Sequence, residues 1–126
     1  MLCALPFAFA LGLCPDETIS GYAVPGLTWR LAEIDGAPFS SDATLTFPEE
    51  NAVVGQAPCN GFTARQVHPL PWVEFTDFAV TRRACPDLDA EAVFFVALGA
   101  MTLAEVTDDV LILSTVEGRE MVFRAD

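Results

Sequence analysis

The sequence predicts an α+β fold: a strongly twisted antiparallel sheet, or small cracked β-barrel, of seven to eight short strands packed on one buried helix at about residues 88–101. Three observations carry this reading. Short segments alternate apolar and polar residues from Leu27 onward, and Gly, Pro, Asn and Asp punctuate them. One stretch, residues 92–101, is apolar without a break and outruns every strand-like segment around it. Finally, 126 residues, 52% of them hydrophobic, are enough for one domain with a core of its own.

The elements follow in order. Leu27-Thr28-Trp29-Arg30-Leu31 has the period of two that a half-buried strand requires. Asp35-Gly36 is a turn signal, and Pro38 continues the break. Ala43-Thr44-Leu45-Thr46-Phe47 is a second strand, ended by Pro48 and the polar residues after it. Residues 52–57 form a third, with Gly55 marking a bulge or a close backbone approach. Residues 62–67 and 73–78 are strands on either side of His68-Pro69-Leu70-Pro71. A helix then opens near Pro86, with Asp87 or Asp89 as N-cap and Glu91 among the acidic residues of its first turn. Because residues 92–101 are apolar around nearly the whole circumference, this helix is expected to be largely buried. Three strands complete the chain at 103–107, 110–115 and 120–124, turning at Asp108-Asp109 and Glu117-Gly118.

Residues 1–25 read as a signal or leader region and tail, and 26–126 as the domain. The uncharged residues 2–14 match the apolar heart of a secretory signal, typically ~7–15 residues, and fall short of the ~20 that a membrane span needs. Ala8-Phe9-Ala10 supplies small residues at a peptidase-like spacing. No Lys or Arg precedes Arg30, so the charged leader is expected upstream of Met1 or lost. Cys14 is a candidate for acylation, weakened by the bulky Leu13 before it. Export to the periplasm or envelope, with or without a membrane tether, is the expected destination. There disulfides persist.

Charge narrows the partners. Eighteen acidic residues face six basic ones, all arginine, for a net −12. Such a surface repels phosphate backbones, which argues against nucleic acid and anionic lipid. It suits a solvated protein.

The ordered landmarks resemble the META domain, or HslJ-like, family of bacterial envelope proteins. They are Trp29-Arg30-Leu31, Ile34-Asp35-Gly36 and residues 43–47, then Val54-Gly55 leading to Cys59-Asn60-Gly61. Thr81-Arg82 with Ala84-Cys85 follows, then a helix ending near Ala97-Leu98, then Leu111-Ile112-Leu113, Gly118 and Val122-Phe123. The pattern departs at Arg83, where the family tends to have Met, and at Ala64, where it tends to have Gly. The resemblance implies a cracked barrel on one helix, an envelope location, and a role in heat-shock-type stress or antibiotic tolerance without an established catalytic activity.

A disulfide between Cys59 and Cys85 is expected in an exported chain, contributing on the order of 3–4 kcal/mol; two buried reduced thiols are the alternative. Four cysteines and the lone His68 include no Cys-x-x-Cys knuckle, so no metal site or cofactor is expected. A Cys–His hydrolase would have to pair His68 with Cys59 or Cys85. Asn60 and Gly61 read as a tight turn that tolerates positive φ, and Arg82 and Arg83 as solvated charges paired with nearby acids. The expected protein is therefore not an enzyme but an envelope protein that binds an unidentified partner or supports envelope integrity. The alternative is a carrier holding a lipid or other small apolar ligand in a pocket lined by Phe94, Phe95 and Leu98.

Overall fold

The computed structural model describes residues 15–126. Cys14, Ala8-Phe9-Ala10 and the rest of the apolar N-terminal stretch lie outside the described residues, and the lipidation and signal readings with them. The elements are a short helix α1 (Ile19–Tyr22), strands β1 (Trp29–Ile34), β2 (Ala37–Pro38), β3 (Thr44–Thr46), β4 (Ala52–Gln56), β5 (Gly61–Val67) and β6 (Glu74–Val80). Helix α2 (Leu88–Ala100) then precedes β7 (Leu103–Val106), β8 (Val110–Ser114) and β9 (Glu120–Ala125).

The nine strands of the described residues join one antiparallel sheet in the order β6-β5-β4-β3-β1-β9-β8-β7, with β2 attached to β1. The predicted α+β architecture is present as a curled half-barrel with one long helix. Pairing β1 with β9 brings both ends of the domain together, Trp29 opposite Ala125 and Leu31 opposite Phe123. Alternation decides the inner face: Leu45, Val53, Phe62, Ala64, Leu111, Leu113, Met121 and Phe123 point inward, while their neighbours are at least partly exposed. Burying each large aliphatic or aromatic side chain contributes about 1.5–3 kcal/mol. The crack is bridged at one end, where Trp72 pairs with Leu103 and the Val73 N–H donates to the Thr102 carbonyl at 3.0 Å.

Local chemistry explains the turns. Asp35 and Gly36 are the two loop residues between Ile34 and Ala37, with φ of 51° and 82°, the left-handed pair a two-residue hairpin demands. Pro38 does not simply continue a break; it sits on the edge strand β2, where its missing N–H costs no ladder bond. Gly55 is a close approach, as its position predicts. A Cβ there would lie 2.5 Å from the Phe62 ring and 2.6 Å from the Thr44 carbonyl oxygen. In β6, Asp77 (φ 56°) and Phe78 together oppose Ala64 across a register shift, a bulge that breaks the regular alternation of this outer strand.

Two features differ from the sequence reading. Part of the stretch assigned to the tail packs against the domain. Ile19 is fully buried and its N–H donates to Gln66 Oε1 at 2.9 Å. The buried Gln66 amide completes its bonding through Nε2 to the Val67 and His68 carbonyls. Second, α2 is buried on one face only. Glu91, Phe94, Ala97 and Leu98 face the sheet, whereas Val93 is 53% and Val96 68% exposed. A half-barrel covers one side of a helix, so an all-round apolar sequence leaves its outer side bare.

Candidate functional site

The cysteine contexts converge on one buried junction at the start of α2. Cys59 and Cys85 are bonded, with their Cα atoms 5.7 Å apart. Asn60 is the hub between them. Its Oδ1 accepts from the Thr81 hydroxyl at 2.8 Å and from the Arg83 N–H at 2.6 Å. Its Nδ2 donates to the Arg83 carbonyl at 3.1 Å and to Glu91 Oε2 at 2.8 Å. No other side chain of this size offers two donors and a carbonyl acceptor at one point, which is why this position suits Asn.

The third member is Glu91 from the first turn of α2. Its Oε1 accepts the N–H of Cys59 at 2.9 Å and of Asn60 at 2.8 Å. Three N–H groups thus converge on one buried carboxylate and satisfy two backbone donors that would otherwise be orphaned. Sequence reasoning placed Glu91 with the helix-cap residues. Glu91 shares a helical face with Phe94 and Leu98, and the sheet covers that face, so the acid lies on the buried side; no sequence signal selects this face, because the helix is apolar all round. Asp87 is the N-cap residue by position, yet its side chain accepts from Ser41 Oγ at 3.0 Å and makes no cap bond.

Each residue of Cys59-Asn60-Gly61-Phe62 now has a physical task. Gly61 passes close to the Gln56 side chain, where a Cβ would meet Nε2 at 3.1 Å. Neither Asn60 nor Gly61 has a positive φ, so the positive-φ turn expected from this pair is corrected: Asn60 acts through its amide. The Phe62 ring packs against Phe94 and Phe95 of α2, with centroids 5.8 and 5.0 Å away, and against Phe78 at 6.2 Å. Thr81 extends the junction by donating its N–H to the Gly61 carbonyl at 3.1 Å. Arg82 is exposed, and neither it nor Arg83 forms an ion pair among the described residues, contrary to the expected pairing with acids.

With both sulfurs bonded to each other, neither cysteine is a free nucleophile, and His68 Nε2 instead lies 3.3 Å from Glu74 Oε1. Phe94 and Leu98 are fully buried, and the rings of Phe62, Phe78, Phe94 and Phe95 pack together where a carrier needs open volume. An open groove of about 630 Å³ does lie elsewhere, between His68, Trp72, Met101, Thr102 and Val116, with Trp72 55% and Val116 73% exposed. Among the described residues, no cluster of three or more His, Cys, Asp or Glu is arranged to hold a metal ion, and no helix is long and apolar enough to cross a membrane.

Two carboxyls away from the junction are shifted by their hydrogen bonds. The Asp35 carboxyl is held below its ordinary value of 3.8 by the Glu120 N–H and then by Arg119, which bonds it through Nε and Nη2 at 3.2 and 3.1 Å. For Asp16, burial pushes upward, but bonds from Ser20 and Thr18 outweigh it and leave the carboxyl below the usual range.

Comparisons agree with this fold. An NMR structure 18% identical in sequence superposes with a TM-score of 0.62, covering 80% of this chain and 90% of the other. A second, of a protein from Burkholderia xenovorans, is 19% identical with a TM-score of 0.61, covering 94% of this chain and 87% of its own. At such identities the likeness concerns the fold alone. No curated protein matches the chain. The META domain model matches residues 23–126, spanning the sheet, the clasped junction and α2, and the chain therefore belongs to the META domain family.

Proposed function

We propose that this META-domain chain is a non-catalytic protein of the bacterial envelope. It is exported to the periplasm, with or without a lipid tether, and supports stress or antibiotic tolerance by binding a partner or stabilising the envelope. The observation that carries the reading is the Cys59–Cys85 bond built into the Asn60–Glu91 junction. A bond placed at the base of helix α2 has structural value only where thiols stay oxidised, and that is outside the cytoplasm. Partner binding is favoured by exposed apolar side chains: Trp72 and Val116 in one groove, Val93 and Val96 on the outer face of α2. The net charge of −12 directs the search toward proteins and away from nucleic acid.

Intact-mass measurement of the natively expressed protein, with and without reductant, tests the proposal. A processed chain that gains two mass units on reduction is expected. An unprocessed chain whose mass reductant leaves unchanged would overturn it.

A further inference from the structure

The six arginines of this acidic chain fall into two sets. Arg30 lies 2.9 Å from Asp126 and 3.4 Å from Asp42, Arg65 lies 3.8 Å from Asp77, and Arg119 lies 3.1 Å from Asp35. Arg82, Arg83 and Arg124 have no carboxylate within ion-pair distance among the described residues. With 18 acidic residues available, two adjacent arginines without an acid are a local inversion of the surface charge. They line an open groove of about 590 Å³ that, among the described residues, contains no acidic side chain. Its apolar wall is Phe78 and Val80 at the end of β6 and Leu88 at the start of α2.

The floor of the groove is fixed. Asn60 holds both the N–H and the carbonyl of Arg83 and the hydroxyl of Thr81, and the disulfide anchors the loop at Cys85. Both arginines therefore stand on a backbone ordered in advance, and the Arg83 Nη2 also donates to the Cys59 carbonyl at 3.4 Å, which lowers the entropy lost on binding an anion. Among the described residues, strand β6 ends the sheet, with no strand on its outer side.

We infer that this groove binds the free C-terminal carboxylate of an extended peptide ending in an apolar residue. The guanidinium groups match a carboxylate in charge and in bidentate geometry. The wall of Phe78, Val80 and Leu88 takes the terminal side chain, and the outer edge of β6 offers main-chain partners to the residues before it. A free acyl chain fits less well, because such ligands are held with most of their surface enclosed and this groove is open. The inference deepens the partner-binding part of the function proposed above and rests on it.

The test is a titration of the ¹⁵N-labelled, disulfide-intact full chain, followed by amide chemical shifts. The probes are N-acetyl-Ala-Ala-Val-Leu with a free carboxylate, the same peptide as its C-terminal amide, and octanoate. The free acid is expected to shift the amides of residues 81–84 and of Leu88 saturably. The amidated peptide and the Arg82→Gln/Arg83→Gln variant are each expected to weaken binding at least about tenfold, a loss that fits a charge-assisted pair. Equal affinity for acid and amide, no saturable shift up to about 10 mM, or octanoate binding the same residues as tightly would each overturn the inference. The acid-to-amide comparison uses the unaltered protein, so it stands even if the double variant folds poorly. Failure here leaves the mass measurement of export and oxidation unaffected, so the two readings fail separately.

Discussion

Replacing Glu91 by Gln should destabilise the domain by about 1.5–3 kcal/mol, although the two side chains have nearly the same shape. The carboxylate accepts two backbone N–H groups on Oε1 and the Asn60 amide on Oε2, at 2.9, 2.8 and 2.8 Å. Gln keeps the first two bonds through its carbonyl but turns an NH₂ group toward the Asn60 NH₂. One charge-assisted bond, worth about 1.5–3 kcal/mol, is replaced by two facing donors. Glu91→Ala should cost more, about 3–5 kcal/mol, because the buried N–H groups of Cys59 and Asn60 each lose an acceptor at about 1–3 kcal/mol. Asn60→Asp reverses the error by setting two carboxylates against each other. Combining it with Glu91→Gln restores a donor–acceptor pair across that contact, so the double variant should be more stable than Asn60→Asp alone and non-additive by about 0.5–3 kcal/mol. Urea unfolding of the oxidised proteins, with intact mass confirming the disulfide, measures all four corners of the cycle. A Glu91→Gln effect below about 0.5 kcal/mol, or strict additivity, would refute the assignment of Glu91 and Asn60 as one unit.

Other outcomes follow from the same geometry. Reducing the Cys59–Cys85 bond, which spans a sequence separation of 26, should lower stability by about 3.5 kcal/mol in the chain-entropy account, read as a lower urea midpoint under reductant. Gly55→Ala should cost about 1–3 kcal/mol, because its Cβ would strike the Phe62 ring and the Thr44 carbonyl. Gly99→Ala, with open space around the added carbon, should be neutral or stabilising by up to about 1 kcal/mol, and thermal unfolding separates the two. The depressed carboxyls of Asp35 and Asp16 contribute stability that is complete above the ordinary value of 3.8 and is lost as pH falls through their lower folded-state values. Urea midpoints from about pH 6 to about pH 2.5 should therefore fall on the acid side, and Asp35→Asn should make that fall shallower. An unchanged slope would remove Asp35 from this account.

What the sequence determined by itself is the local part of the molecule. Alternation along the chain places most of the strands because side-chain direction in a strand repeats every two residues, and that period survives in any tertiary setting. Asp35-Gly36 marks its hairpin because few residues tolerate two successive left-handed conformations. The apolar run after Glu91 marks α2, and the two cysteine contexts mark the staple together with the family. The sequence did not place Ile19 in the core, nor did it foresee the bonding of Glu91 or of Gln66. Those contacts join residues 31 and 47 positions apart, beyond the reach of any pattern confined to a turn of helix or a strand pair. It could not tell which side of α2 would be covered, since all sides are apolar, and only the curl of the half-barrel selects Phe94 and Leu98 over Val93 and Val96. The same curl decides that Arg82 and Arg83 face a groove without acids in a chain rich in them. Electrostatic pairing depends on distance in space, and separation along the chain does not fix that distance.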